Sequence, residues 1–338
     1  MRTGLGLHHY PTRAGLPDDF SAFAGRDVKD HHPRPGEFGE TAHSVDRPDL
    51  CVAWVGGGVV FRGGLALGQQ AGATGLTVLG MMSEAPKLTV EESQEVVARI
   101  LKRVDGRVPV VVGVSAPGFA QIDTLTRAVM ELGAAGVMVA PPGSLRTDDK
   151  IVNYYRQVAE VLGDVPFVLQ DFPLVTGVQI APKVIAWIVN ELPTCVCLKH
   201  EDWPGLEKIS ALRADGTLER PLSILCDNGG LFLPEEMGRG ADGAMTGFAY
   251  PEMMVQVVDL CSRGELIRAQ DIFDAYLPLT RFEQQPGLGL ATRKYTLAKR
   301  GIIAHDAQRR PGAALSAATR AEVDRLIARQ EKRLKELN

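Results

Sequence analysis

Short apolar runs alternate with amphipathic segments along most of the chain from residue 74 onward. Each run is rich in β-branched residues, ends in a Gly- or Pro-containing turn and precedes a stretch with helical spacing of apolar positions. The runs are residues 76–80, 108–116, 136–142, 165–173, 194–202, 222–230 and 243–251. Continuous apolar strands separated by helices indicate a parallel sheet that helices cover on its outer face.

Two of the predicted helices carry clear start and stop signals. Thr89 with Glu92 three residues later forms a capping box ahead of VEESQEVVARILKRV. Thr147 precedes the second helix, DDKIVNYYRQVAEVL, which Gly163 closes. Both segments are long enough to cross over between parallel strands.

Seven strand–helix units in unbroken order predict an α/β fold, a (β/α)8 TIM barrel with a C-terminal helical extension. A doubly wound sheet is disfavoured because no glycine-rich dinucleotide fingerprint follows any of the strands. We expect the barrel to occupy residues 49–252, and the last barrel helix with the C-terminal helices to occupy residues 253–338.

The missing strand must come from the first part of the chain, which has an unusual composition. Five of the seven histidines and dense Gly, Arg and Pro lie in the first 72 residues, where only residues 50–61 resemble a strand. The glycines that follow disfavour a helix, at a cost of about 1 kcal/mol each. Two interpretations stay open for residues 1–48: a disordered leader ahead of a weak first unit, or a segment translated from an altered reading frame.

Composition narrows the class of protein. The 338 residues are 45% hydrophobic, with a net charge of -4 and no basic stripe, so no nucleic-acid partner is expected. No apolar run approaches the roughly 18 residues of a membrane span, and the first residues lack a basic segment followed by an apolar one, so we expect a cytoplasmic protein. Three of the five cysteines lie in apolar runs, which argues against a disulfide framework. No cluster has metal-ligand spacing, so no metal is expected.

The sixth barrel strand, TCVCLKHED, changes from apolar to charged at its end. Side chains alternate along a strand, so Lys199 shares one face with Glu201. Cys195 and Cys197 share that face, which we interpret as the barrel interior. The carboxyl end of a barrel carries the chemistry, and burial there would lower the pKa of Lys199, so that a neutral amine attacks a carbonyl. The alternative is an ordinary lysine that reaches solvent or pairs with Asp202.

Four segments at the ends of the second, fifth, sixth and eighth strands carry a family resemblance. They are residues 72–92, 165–177, 197–202 and 240–251. Together they resemble the dihydrodipicolinate synthase and N-acetylneuraminate lyase family of class I aldolase-type barrels, over roughly residues 70–335. The resemblance implies that Lys199 forms a Schiff base with a small-molecule 2-keto acid, without any cofactor, and that the protein is a homotetramer.

The loop after the second strand, GMMSEAP, receives the substrate carboxylate in that family. The resemblance therefore implies that Met82 and Ser83 bind substrate here, with Ser83 offering a hydroxyl and the turn its backbone N–H groups. The same loop departs from the synthases, which carry two threonines where this chain has Met81 and Met82.

Further departures argue against tetrahydrodipicolinate synthesis. Gln170 stands where the synthases have the proton-relaying tyrosine, and Val175 where they have a carboxylate-binding arginine. Pro142 and Gly143 replace the aromatic pair after the fourth strand. A synthase that binds a dicarboxylic partner and relays protons through tyrosine would lack these groups.

The same positions resemble the sugar-acid dehydratase branch of the family, the 2-keto-3-deoxy-L-arabonate dehydratases. That branch has a Ser-Glu pair after strand two, here Ser83 and Glu84, a glutamate two residues after the lysine, and Gly-Ala-Met-Thr-Gly in strand eight, here residues 243–247. The resemblance implies dehydration of a 2-keto-3-deoxy sugar acid, with Glu201 as the base beside the imine. It also implies that the substrate-binding residues include Gln170, Asp171, Thr246 and Gly247.

Several alternatives stay open at this point. The family also contains synthases and aldolases that share the imine, and the barrel could be a non-catalytic sugar-acid binding protein. Glu201 could form only a salt bridge with Lys199. His200 alternates away from Lys199 and is expected behind the strand. Asp227 and Asn228 either bind substrate hydroxyls or form an ordinary turn, and Glu84 either caps or supports its own loop.

Overall fold

Eight parallel strands close into a barrel in sequential order. The computed structural model describes residues 51–55, for which it gives the backbone only, and residues 71–80, 84–203 and 205–337. The strands are β1 Cys51–Val55, β2 Gly75–Val78, β3 Val110–Gly113, β4 Gly136–Val139, β5 Phe167–Asp171, β6 Cys195–His200, β7 Ser223–Cys226 and β8 Gly243–Thr246. The predicted TIM barrel is confirmed.

Strand β1 closes the barrel, because it pairs with both β2 and β8. Ala53 lies opposite Gly75 on one side, and Cys51 lies opposite Gly243 on the other. The strand falls inside residues 50–61, the one strand-like stretch of the first part of the chain. Residues 1–50 and 56–70 lie outside the described residues, so the two interpretations of the leader stay predictions.

Helices follow the strands and cover the barrel. They are α1 Val90–Val104, α2 Phe119–Glu131, α3 Asp148–Leu162, α4 Pro173–Thr176, α5 Pro182–Glu191, α6 Leu206–Arg213, α7 Leu233–Gly238 and α8 Pro251–Ser262, followed by α9 Leu266–Glu283, α10 Gly289–Lys299 and α11 Ala317–Leu337. None of the helices in the described ranges combines the length and apolar character needed to cross a membrane. The last three form the predicted C-terminal extension.

The predicted capping box of α1 is present. Thr89 Oγ1 accepts a hydrogen bond from the Glu92 backbone N–H at 3.2 Å, and Glu92 Oε2 accepts one from the Thr89 N–H at 3.0 Å. These two bonds satisfy backbone donors that a helix N-terminus leaves without a partner. Helix α3 begins after Thr147, whose side chain makes no capping bond, and ends at Gly163 with φ 60°.

Two hydrophobic layers hold the barrel together. A large outer cluster lies between the strands and the helices. A small inner cluster fills the part of the barrel interior that lies below the carboxyl ends of the strands. The inner cluster consists of Val111, Ala135, Met138, Val168, Val196, Cys197, Leu225 and Met245. Interior side chains of such barrels stack in layers. The apolar inner layer therefore supports whatever side chains occupy the carboxyl end above it.

A β-bulge in β6 changes the face that Cys195 occupies. Phe167 of β5 lies opposite Cys195, whereas the next residue, Val168, lies opposite Cys197, so Val196 is the extra residue. Cys197 and Val196 belong to the inner cluster, and Cys195 belongs to the outer one. The prediction that Cys195 shares the interior face with Lys199 is wrong, because strict alternation along the strand fails at the bulge.

Candidate active site

Lys199 lies inside the barrel, near the carboxyl end of β6. It is in register with Gln170 of β5 on one side and Leu225 of β7 on the other, two residues above Cys197. Its side chain is only 3% exposed. The bulge lies below Lys199, so the alternation that Lys199 and Glu201 follow is intact beyond Cys197. The alternative of an ordinary lysine that reaches solvent is therefore wrong.

Four buried side chains form a lysine–carboxylate cluster: Lys199, Glu201, Asp227 and Gln170. Lys199 Nζ donates to Glu201 Oε1 at 2.5 Å and also to Asp227 Oδ2. Gln170 Nε2 donates to the same Glu201 Oε1 at 2.6 Å. The cluster brings one amine, two carboxyl groups and one amide together at the carboxyl ends of three neighbouring strands.

The two carboxylates keep the amine of Lys199 protonated. Burial of the ammonium group by itself lowers its pKa, but the charges and hydrogen bonds of Asp227 and Glu201 outweigh burial, and the pKa of Lys199 is raised. The prediction that burial makes this lysine a neutral amine in the free protein is therefore wrong. A proton must leave the ammonium group before Lys199 can attack a carbonyl.

The pKa values of the two carboxyl groups are shifted in opposite directions. Burial and then the negative charge of Asp227 raise the pKa of Glu201 well above its ordinary value. Burial also acts to raise the pKa of Asp227, but the charge of Lys199 and the neighbouring Glu201 and Thr246 side chains lower it below its ordinary value. The cluster therefore favours an ammonium group on Lys199, the ionised form of Asp227 and the protonated form of Glu201.

Hydrogen bonds to backbone carbonyls hold Glu201 and Asp227 in place beyond the strand ends. The Glu201 N–H donates to the Asp171 carbonyl at 2.9 Å, and Asn228 Nδ2 donates to the Glu201 carbonyl at 2.9 Å. The Asp227 N–H donates to the His200 carbonyl at 3.0 Å. The ends of β5, β6 and β7 are thus joined to one another just where the cluster lies.

Asp171 lies apart from this cluster, on the opposite face of β5. Its Oδ2 accepts a hydrogen bond from Lys208 Nζ at 2.6 Å, and Lys208 also pairs with Asp202 at 2.8 Å. Burial raises the pKa of Asp171 to about 6. His200 lies on this side too, 3.9 Å from Asp171, and burial lowers its pKa to about 4. The structure therefore places His200 behind the strand, as expected, and does not place Asp171 with the predicted substrate-binding residues.

We expect Lys208→Met to destabilise the protein, because it leaves the Asp171 carboxylate buried without its cation. The free energy of unfolding should fall by about 3 kcal/mol. Asp171 has a raised pKa in the folded protein, so it binds its proton more tightly there than in the unfolded chain, and the loss should shrink near pH 5 and grow toward about pH 8. Urea unfolding at several pH values measures this dependence.

Lys183→Met is the matched control for that measurement. Lys183 pairs with Asp148 at 2.9 Å, but the two side chains are 78% and 48% exposed. Breaking such a pair should change the free energy of unfolding by less than about 1 kcal/mol. Equal effects of the two substitutions, or a loss at Lys208 that does not vary with pH, would contradict the role of the buried Asp171 carboxylate.

The other predicted substrate-binding residues fall at two places. Thr246 ends β8 and Gly247 follows it; both are buried, and the Thr246 hydroxyl helps to lower the pKa of Asp227. Met82 and Ser83 lie outside the described residues. Of the predicted residues, the structure brings together Lys199, Glu201 and Gln170, with Thr246 close by.

Glu84 links the loop after β2 to the C-terminal extension. Its carboxylate accepts hydrogen bonds from Lys294 Nζ of α10 at 2.5 Å, from Lys87 Nζ at 3.0 Å and from the Arg309 N–H at 3.0 Å. These partners lower its pKa although burial acts to raise it. Of the two expected roles, Glu84 therefore has the supporting one, and it holds the loop through partners more than 200 positions away in the chain.

Asp227 is the member of the cluster whose contact with Lys199 sequence reasoning missed. Its Asp-Asn-Gly-Gly context is typical of a turn, and the turn is present, with Gly229 at φ 67°. The signal available in the sequence was its place directly after β7, since neighbouring strands of a barrel end close together. Within the described part of the chain, no group of three or more His, Cys, Asp and Glu side chains has the arrangement of a metal site.

Comparison with known proteins gives the family. The sequence profile of the dihydrodipicolinate synthetase family matches residues 68–330. An L-2-keto-3-deoxyarabonate dehydratase from Azospirillum brasilense is 29% identical over 260 residues, which are 75% of this chain and 82% of that protein. A 4-hydroxy-tetrahydrodipicolinate synthase from Thermus thermophilus is 33% identical over 181 residues, 53% of this chain and 59% of that protein.

A solved structure agrees with the sequence relatives. The crystal structure of a dihydrodipicolinate synthase from Rhodopseudomonas palustris superimposes with a TM-score of 0.81 at 50% identity, covering 83% of this chain and 97% of that one. The similarity thus extends over nearly all of the barrel and the C-terminal helices. The chain belongs to the dihydrodipicolinate synthetase family and is a lyase.

Proposed function

We propose that the protein is a Schiff-base-forming lyase that dehydrates a 2-keto-3-deoxy sugar acid, the substrate being of the five-carbon arabonate type. The observation that carries the proposal is the hydrogen bond of 2.5 Å between Lys199 Nζ and Glu201 Oε1 inside the barrel. A carboxyl group in that position lies beside any imine formed on the lysine. The similarity to the Azospirillum brasilense dehydratase supports the same reaction.

The first step is condensation of Lys199 with the C2 carbonyl of the keto acid. The amine adds to C2, the carbonyl oxygen leaves as water, and an iminium ion remains. The two hydrogens of the released water and the one on the iminium nitrogen equal in number the three hydrogens of the ammonium group, so the overall step is balanced. The positive nitrogen then acidifies the C3 protons, and the proposed reaction needs no cofactor because the iminium ion itself accepts the electrons.

The second step is loss of water across C3 and C4. The Glu201 carboxylate removes a C3 proton, the electron pair moves to the nitrogen, and the resulting enamine expels the C4 hydroxyl. Glu201 returns its proton to that leaving group, which departs as water. Gln170 donates to Glu201 Oε1 and has no proton to exchange, so it orients the base without competing with it. Hydrolysis of the imine releases a product that tautomerises to a semialdehyde.

The second candidate is 4-hydroxy-tetrahydrodipicolinate synthesis. The 50% identity to the Rhodopseudomonas palustris structure, described as a dihydrodipicolinate synthase, favours it. Synthesis would condense a pyruvate imine with an aldehyde and relay protons through a titratable hydroxyl. Gln170, which stands at that position and contacts Glu201, cannot supply such a proton.

The products formed from 2-keto-3-deoxy-L-arabonate distinguish these reactions. Incubation with the purified protein should yield a semialdehyde with loss of water, detected by mass spectrometry and by a coupled aldehyde assay. Release of pyruvate and a two-carbon aldehyde would instead indicate an aldolase. Condensation of pyruvate with aspartate semialdehyde at a comparable rate would indicate the synthase, and either result would contradict the dehydratase proposal while leaving the imine in place.

A further inference from the structure

Two carboxyl groups contact one amine in the lysine–carboxylate cluster. Lys199 Nζ donates to both Glu201 Oε1 and Asp227 Oδ2, and the three side chains are 3%, 4% and 11% exposed. The proposed dehydration uses the carboxylate of Glu201 and leaves Asp227 without a role. Carboxyl groups that share one buried site titrate as a pair, because ionising both without solvent is costly.

The surroundings of the pair decide which member keeps its proton. The positive charge of Lys199 stabilises the Asp227 carboxylate. The Gly229 backbone N–H, whose nitrogen lies 3.4 Å from Oδ1, also stabilises it. Glu201 is the more deeply buried of the two and is raised in pKa by the charge of Asp227. Of the two carboxyl groups, Glu201 therefore holds a proton more readily than Asp227, although Glu201 is the group that must be ionised to act as a base.

We infer that Asp227 is a second catalytic carboxylate, which accepts a proton from Lys199 so that imine formation transfers the single proton of the pair from Glu201 to Asp227. This inference rests on the proposed imine chemistry at Lys199. Asp227 touches the reacting nitrogen directly. A carboxylate in contact with the ammonium group is the proton acceptor that this group requires.

The protons and the charges of this transfer balance. Lys199 gives one proton to Asp227, and the neutral amine adds to C2 of the keto acid while Glu201 protonates the carbonyl oxygen. A second proton of the nitrogen then leaves in the water, and the third stays on the iminium ion. The net charge of the three side chains is zero before and after, but Glu201 is now a carboxylate beside C3. Hydrolysis of the product imine reverses the transfer.

The other titratable groups near the pair cannot take over this task. Gln170, which faces Glu201 from β5, does not titrate. Asp171 lies on the far side of its strand, with Lys208. Glu236 of α7 lies behind β7 beside Cys226, and burial raises its pKa to about 8, so it is largely neutral at neutral pH. From β8, the uncharged Thr246 faces Asp227.

The rate of imine formation with pyruvate, measured across pH, tests the inference without any sugar acid. Protein and pyruvate are mixed between about pH 5 and about pH 9.5, because the pKa of Glu201 is raised well above its ordinary value. Samples are quenched into borohydride at short times, and the adduct on Lys199 is measured by mass spectrometry. The wild-type rate of imine formation should fall at high pH as Glu201 loses its proton. We call this decrease the basic fall.

Asp227→Asn should move that basic fall to lower pH by about one pH unit or more, because the charge that helps to keep the proton on Glu201 is gone. The rate at neutral pH should drop by about 10²-fold, the usual contribution of a positioned proton acceptor. Asp227→Glu restores the carboxylate and should return the fall toward its wild-type position. Thr246→Val removes a hydroxyl that lowers the pKa of Asp227 but leaves its charge, so the basic fall should stay at the wild-type pH or move to higher pH, opposite to Asp227→Asn. This variant serves if Asp227→Asn does not fold.

Asn228→Gly is the control, since it changes the same turn and removes a hydrogen bond to the Glu201 carbonyl but no charge. Its basic fall should stay at the wild-type pH. If Asp227→Asn slowed the reaction but left the basic fall at the wild-type pH, Asp227 would have only a structural role. That result would overturn the inference. Absence of any adduct in the wild type would overturn the imine itself, whereas adduct formation without dehydration of sugar acids would remove only the dehydratase proposal.

Discussion

Replacing Lys199 with arginine is expected to abolish turnover and borohydride trapping while leaving the protein folded. A guanidinium group remains protonated in proteins and cannot add to a carbonyl, so no imine forms. It still offers a cation to Glu201 and Asp227, which otherwise would be buried without one. Turnover is measured with the sugar acid, and trapping is measured by mass spectrometry after reduction in the presence of pyruvate.

Lys208→Arg is the matched control for this substitution. Lys208 is also buried and paired with carboxylates, but it lies behind the strands with Asp171 and Asp202. The control should keep its activity and show the same trapping as the wild type. If Lys199→Arg retained more than about a tenth of wild-type turnover, the mechanism would not be covalent.

Replacing Glu201 with glutamine should separate imine formation from dehydration. The amide keeps the shape of the side chain and can still contact Lys199, so borohydride trapping with pyruvate should reach completion. Dehydration should fall by about 10²-fold or more, which is the usual contribution of a positioned base. The two readouts are the amount of adduct at long times and the steady-state rate of semialdehyde formation.

Glu236→Gln is the appropriate comparison, because it makes the same chemical change at a buried glutamate behind β7. Burial raises the pKa of Glu236 to about 8, so that carboxyl group is already largely neutral near pH 7 and its amide should cost little activity. Equal losses in the two variants would point to a general packing effect. Full dehydration activity in Glu201→Gln would assign the base to another residue.

The architecture could be predicted from local patterns. Apolar strands, capping signals and turns recur with one period along the chain, and each is a property of neighbouring residues. Thr89 and Glu92 form their capping box because both partners lie within one helical turn. The place of Lys199 also followed from the sequence, since the end of a parallel barrel strand and the alternation of side chains put it in the interior.

The chemical state of the site was decided only by the tertiary structure. The bulge at Val196 depends on pairing with β5, and it moved Cys195 to the outer layer without moving Lys199. Asp227 reaches Lys199 from another strand, and its charge, with that of Glu201, reverses the effect of burial on the pKa of Lys199. Electrostatic interactions act through space at distances of a few ångströms, so residues 28 positions apart became partners that no local pattern could reveal.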